Sequence, residues 1–180
     1  MIKWVCWILI VAGSLLGWEW YYGRGIAVQP IQFNHAKHDG MGCNICHSGV
    51  PTKVQAELPS LSLCMNCHAV PPVKDKEAVA LWDKAKDAPD TAPWESLYQV
   101  PEHVYFSHRT HLANWERTGI TCSVCHGDIH KSSAPPHQAL VGFSMNACIT
   151  CHNDVAGYCK SCDKAGTELK PSTDCVACHR

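Results

Sequence analysis

Twelve of the 13 cysteines in this 180-residue chain fall into six Cys-x-x-Cys pairs, and histidine follows five of those pairs at once. The five are Cys43, Cys46 and His47; Cys64, Cys67 and His68; Cys122, Cys125 and His126; Cys148, Cys151 and His152; Cys175, Cys178 and His179. A lone Cys-x-x-Cys fits a zinc ribbon, a redox disulfide or a structural disulfide equally well. The histidine separates these readings. It is about one residue in fifteen of the chain, so five such neighbours by chance have odds of roughly one in a hundred thousand. Tetrahedral zinc does not need an imidazole at that fixed place. A c-type haem does: two thiols form thioethers with its vinyl groups, and the adjacent imidazole reaches the iron.

The sixth pair, Cys159 and Cys162, departs from the pattern because Asp163 and Lys164 follow it. A disulfide is one reading. Covalent haem is the one predicted, since the pair lies between two complete motifs, which makes six haem c groups in all. Its iron ligand is left open among Asp163, Lys164 and a spare histidine, His103, His130 or His137.

Setting aside the five motif histidines leaves His35, His38, His103, His108, His111, His130 and His137. An iron with two imidazoles is coordinatively closed, which suits electron transfer better than substrate binding. Seven candidates fill five distal positions with two to spare. An internal duplication narrows the choice. Phe33-Asn-His35-Ala-Lys-His38 precedes the first motif and Phe106-Ser-His108-Arg-Thr-His111 precedes the third. A second attachment site follows each in a similar frame, at Ser62-Leu-Cys64 and Ser144-Met-Asn-Ala-Cys148.

These sites need elements to position them, and the chain divides accordingly. Residues 1–22 start Met1-Ile2-Lys3 and run apolar from Trp4 to Trp18, with Glu19 before a closing Trp20, Tyr21 and Tyr22 and no small-x-small cleavage site. This predicts a retained transmembrane signal anchor. Cys6 within it belongs to no pair and reads as a small apolar residue. Residues 23–180 form a domain outside the cytoplasm, where thioether attachment is made, with two-haem modules at about 31–70 and 103–152 and a haem-bearing tail at 153–180. Within the linker 71–101, Val73 to Ala88 carries Val79, Leu81, Trp82 and Ala85 among charged residues and reads as one short amphipathic helix. The predicted fold is therefore a multihaem cytochrome c, one membrane helix followed by a haem-cored domain of short helices and mostly irregular structure. Charge is near balance, 15 Lys plus Arg against 16 Asp plus Glu, so there is no basic footprint for nucleic acid.

Phe-x-His-x-x-His ahead of Cys-x-x-Cys-His resembles the pattern of class III and triheme cytochromes. The resemblance implies that His35 and His38 ligate the Cys43/Cys46 and Cys64/Cys67 haems, and that His108 and His111 do the same for the Cys122/Cys125 and Cys148/Cys151 haems. The stretch from Pro93-Trp94 through Val100-Pro-Glu-His103-Val-Tyr-Phe-Ser-His108-Arg-Thr-His111, with the N-terminal segment, is similar to the multihaem subunit of alternative complex III and of the quinone reductase complex Qrc. That likeness, closer to the compact six-haem Qrc member, implies an electron-transfer subunit of the bacterial inner membrane with its haem domain in the periplasm. It is no enzyme on its own. Its implied partners are an iron–sulfur and molybdopterin-type protein, polytopic quinone-binding subunits and a soluble periplasmic cytochrome, with electrons passing toward menaquinone. An alternative is a self-contained quinol dehydrogenase of the small anchored tetrahaem kind. Against it, Ser48-Gly49-Val50-Pro51 follows His47 where that family places a methionine. A soluble reductase with an open haem iron is a third reading, resting on the unusual sixth site.

Overall fold

A computed structural model of the chain describes residues 2–22, 26–88, 92–113, 115–158 and 171–179. The Cys159/Cys162 pair with Asp163 and Lys164 lies outside them. Helix α1 spans Ile2–Tyr22. The attachment motifs make most of the short helices: α2 Cys43–Cys46, α3 Leu61–Met65, α7 Cys122–His126, α8 Met145–Asn153 and α10 Cys175–Cys178. Between them lie α4 Lys76–Asp87, α5 His108–Leu112, α6 Trp115–Thr118 and α9 Val155–Tyr158, with 3-10 turns at His35–His38 and Ile129–Lys131. Among the described residues there is no strand, only an isolated antiparallel bridge between Val104 and His179.

The motif spacing explains why each attachment site is helical. Cys-x-x-Cys-His places its three functional side chains at i, i+3 and i+4, which share one face of a helical turn. The backbone closes that turn: the N–H of His47, His68 and His179 donates to the carbonyl of Cys43, Cys64 and Cys175 at 2.8, 2.9 and 2.8 Å. Two thiols and an imidazole are thus aimed the same way by a single turn of backbone.

The apolar core is small. Ile31, Leu61, Ala78, Trp82 and Ala85 form it, with Met65, Val73, Leu81, Ala92 and Trp94 packed around it. Helix α4 supplies three of the five because residues 78, 82 and 85 recur at helical spacing. Asp75 starts the helix, its carboxylate accepting from the N–H groups of Glu77 and Ala78 at 3.1 and 3.0 Å, a cap worth about 1 kcal/mol. Trp94 ties the linker back to the first module by donating its Nε1–H to the Pro59 carbonyl at 2.7 Å.

The N-terminal segment departs from expectation. Helix α1 has 21 residues, or about 32 Å at 1.5 Å each, yet among the described residues no helix is long and apolar enough to cross a membrane. The expected transmembrane anchor is therefore not supported. From Trp4 to Trp18 the helix is exposed, with Trp4, Trp7, Ile8, Val11, Ala12 and Leu15 on one continuous apolar face.

One loop joins the two modules and depends on a glycine. In residues 48–57 the Gly49 N–H donates to the Ala56 carbonyl at 3.0 Å and the Gly49 carbonyl accepts from Lys53 N–H at 2.7 Å. The turns press so close that a Cβ on Gly49 would lie 2.1 Å from the Gln55 carbonyl oxygen, and backbone at that distance cannot yield as a side-chain tip would. Gly49→Ala is expected to destabilise the protein by about 1–3 kcal/mol, read as a lower midpoint in denaturant unfolding followed by far-UV circular dichroism. An unchanged midpoint would show that the loop relaxes freely.

Candidate metal centres

The duplicated Phe-x-His-x-x-His segments share their capping and stacking contacts, the first on a 3-10 turn and the second on helix α5. In the first, the Asn34 side chain accepts from Lys37 N–H at 2.9 Å, capping the 3-10 turn, while its carbonyl accepts from His38 Nδ1 at 2.9 Å. In the second, Ser107 does both: its hydroxyl accepts from Thr110 N–H at 3.3 Å and its carbonyl from His111 Nδ1 at 2.8 Å. The phenylalanine lies between the two imidazoles. Phe33 meets His35 edge-on at 4.8 Å and stacks on His38 at 4.6 Å and 25°. Phe106 meets His108 at 5.0 Å and stacks on His111 at 4.5 Å and 28°.

Four further imidazoles are held in the same manner, those of His47, His108, His137 and His152. A carbonyl can only accept, so a ring nitrogen bonded to one carries the proton and leaves the lone pair of Nε2 for a metal. His47 Nδ1 meets the Glu57 carbonyl at 2.8 Å, His108 that of Val54 at 3.0 Å and His152 that of Ser172 at 2.7 Å. His137 Nδ1 likewise meets the Ala27 carbonyl at 3.0 Å. Burial, with the charges of His47 and His38, lowers the pKa of His35. Burial, with His108 and His47, lowers that of His126. Both shifts favour the neutral, ligating form.

The imidazoles then come together in pairs. Ring centres lie 6.1 Å apart for His38 and His68, 6.2 Å for His108 and His126, 6.2 Å for His111 and His152, and 5.5 Å for His103 and His179. His35 sits beside His47, near enough to feel its charge, and its Nδ1 is a buried nitrogen with no hydrogen-bond partner. With a metal–nitrogen bond of about 2 Å and roughly 1 Å more to the ring centre, two imidazoles on one metal hold their centres about 6 Å apart. Among the described residues no three His, Cys, Asp or Glu side chains converge as a cage for a metal ion. Donors in twos beside paired thiols fit haem, whose macrocycle supplies four of the iron's six ligands. His130, on the 3-10 turn Ile129–Lys131, and His137 face no second imidazole among the described residues.

The thiols fit the same group. All ten motif cysteines of the five complete pairs are free. Apolar side chains stand exposed within and beside the motifs, Ile45, Ile149 and Val176 between paired cysteines and Met41 and Met145 just ahead of them, as a wall for a flat apolar ring. Burial raises the Cys46, Cys64, Cys125, Cys148 and Cys151 thiols above their usual pKa. Cys122 is pushed up to about 11 by burial and by Cys43, with which its thiol is hydrogen-bonded.

Several supporting residues carry no signature in the sequence. Tyr98, from the linker, packs edge-on against His126 at 4.4 Å and donates its hydroxyl to the His126 carbonyl at 3.3 Å while accepting from Leu140 N–H at 3.0 Å. Phe143 closes on Tyr98 at 5.5 Å. The one available signal was the polar residue between Phe and His in both repeats, Asn34 and Ser107, each a good helix cap.

The sequence model of the class III cytochrome c family matches residues 22–91, which hold the first two complete motifs and both histidines of the first Phe-x-His-x-x-His. No curated protein matches the chain. The matched family is one of multihaem cytochromes carrying c-type haems for electron transfer, and the helical and irregular fold agrees with it.

The stacking phenylalanine is the most exacting contact in each repeat. Phe106→Leu removes the ring from His111 while keeping volume and apolarity, so His111 should wander. Low-temperature electron paramagnetic resonance of the ferric protein is expected to show one low-spin signal broadened or shifted and the others kept; an unaltered spectrum would mean that the Ser107 carbonyl alone fixes the ring.

Proposed function

We propose that the chain is an electron-transfer subunit carrying six c-type haems, one at each Cys-x-x-Cys pair, that relays electrons between a soluble periplasmic carrier and a membrane quinone oxidoreductase complex. The observation that carries this reading is the facing of imidazoles about 6 Å apart beside paired thiols. Each haem supplies one-electron exchange at an iron closed by two imidazoles. On this reading His47, His68, His126, His152 and His179 are proximal ligands. His35, His38, His108 and His111 are distal to the first four in that order.

The chain's own residues join the sites into one series. His35 and His38 share a turn, and Cys46 lies near Cys64 and Cys67, which links the first two sites. His108 anchors both its N–H and its Nδ1 on the Val54 carbonyl, in the loop whose Glu57 holds His47, and the free thiols of Cys43 and Cys122 are neighbours. These contacts link the first site to the third. Helix α5 carries both His108 and His111, linking third to fourth. His152 rests on Ser172 and Cys148 lies near Cys178, linking fourth to the last. The order is Cys64/Cys67, Cys43/Cys46, Cys122/Cys125, Cys148/Cys151, Cys175/Cys178, and a series without gaps suits a relay.

Partner and location rest on the resemblance to the Qrc and alternative complex III subunits and on helix α1. Its exposed apolar face, rich in tryptophan, is suited to a membrane surface and to the apolar flanks of polytopic subunits. The domain then lies in the periplasm against the bacterial inner membrane, beside iron–sulfur, molybdopterin-type and quinone-binding subunits, with electrons passing toward menaquinone.

The test is the intact mass of holoprotein purified from its own membranes, with a subunit gel. Six haem masses and large copurifying subunits are expected, and Cys159→Ser with Cys162→Ser should lower the count to five. Five haems in the wild type with a two-proton loss at that pair would replace the sixth haem by a disulfide. A lone chain that oxidises quinol unaided would establish the self-contained dehydrogenase instead.

A further inference from the structure

The last attachment site has a proximal histidine, His179, but no Phe-x-His-x-x-His segment is left to serve it. The residue opposite is His103, from the other side of the second module. Val104 N–H donates to the Pro101 carbonyl at 2.8 Å, a tight turn that swings His103 out at its corner. The chain beyond is pinned to the C-terminal motif: Val104 bridges His179, and Tyr105 N–H donates to the Cys178 carbonyl at 2.7 Å. The two imidazoles lie nearly parallel, centres 5.5 Å apart and planes at 16°. At that separation they are too far apart for full ring contact and shorter than the other pairs by about 0.6–0.7 Å, a gap that the exposed His103 side chain can open without moving the bridge.

We infer that His103 is the second axial ligand of the iron at Cys175/Cys178, held opposite His179 by the Val104–His179 bridge. The inference rests on the haem reading above and adds a ligand that neither the duplicated motif nor the class III match over residues 22–91 contains. It also changes the histidine arithmetic. With His103 engaged here, only His130 and His137 are left as imidazoles for the Cys159/Cys162 site. The binding step is a lone-pair donation from a neutral ring nitrogen to iron, with no electron transferred.

The bridge has a structural consequence as well. Residues 104–107 lead without a helical turn from His103 to the Ser107 cap of α5, so one short segment carries the distal ligand of the last site at its start and those of the third and fourth sites just beyond its end.

The test uses the full-length holoprotein with His103→Ala, and His130→Ala and His137→Ala beside it. In His103→Ala the haem count by intact mass should be unchanged, while the ferric resonance spectrum loses one low-spin haem and gains one high-spin haem that added imidazole restores. His130→Ala and His137→Ala should leave that haem low-spin. If His103→Ala fails to accumulate, His103→Met serves, since methionine keeps the iron six-coordinate and raises the midpoint potential of a single haem. An unchanged low-spin count in His103→Ala, or unchanged midpoints in His103→Met, with haem present at Cys175/Cys178, overturns the inference and leaves the haem reading standing. A holoprotein lacking haem at those cysteines overturns both.

Discussion

The constraint on which the paired sites turn is holding an imidazole by its far side, as the chain does at His38, His47, His108, His111, His137 and His152. A metal-facing Nε2 is useful only if the ring cannot turn, and the chain fixes it by tying Nδ1–H to a backbone carbonyl. His38 on Asn34 and His111 on Ser107 show the economical form, in which a residue that caps a turn with its side chain holds the histidine with its carbonyl. The phenylalanine one residue earlier then closes the other face by stacking. Three neighbouring residues thereby set the direction of a ligand with no help from a distant core.

That local economy explains how so little apolar packing suffices. Among the described residues the buried apolar cluster is five residues around α3 and α4, beside the first module. The second module holds by hydrogen bonds onto the first, through Val54, Lys53 and the Ala36–Ser132 contact, and by the aromatic group of Tyr98, Phe106 and Phe143. On the haem reading, such a chain would draw much of its apolar burial from covalently attached groups, so that attachment and folding would be coupled.

The attachment motifs were legible because their chemistry is written in consecutive residues: i, i+3 and i+4 spacing is both the reaction requirement and one helical turn. The duplicated Phe-x-His-x-x-His was legible for the same reason. The linker helix was visible from the apolar recurrence through Val79 and Ala85, though it runs over Lys76–Asp87 and buries Ala78, Trp82 and Ala85. What escaped were contacts made across the chain. Nothing in Pro101-Glu-His-Val says that His103 meets His179, because the bridge joins residues far apart in sequence. Tyr98 on His126 and Gly49 beneath the Gln55 carbonyl are likewise matters of approach, not of composition. The N-terminal run was read as a membrane span; it forms the 21-residue helix α1, and among the described residues no helix is long and apolar enough to cross a membrane.

The spacing of the distal histidines carries a last constraint. Two imidazoles three residues apart on one helical turn rise only about 4.5–6 Å along its axis. If each faces a different proximal partner, as His108 faces His126 and His111 faces His152, the two metal sites cannot separate by more than a short tether allows. Closeness of neighbouring sites is then a property of backbone geometry and survives changes in the surrounding loops. The second module repeats the device of the first, and the Val54 carbonyl joins the two by receiving His108. A series of sites in contact thus follows from two copies of one turn and the loop that receives it, which is why a chain with so small a core can keep its paired imidazoles in register.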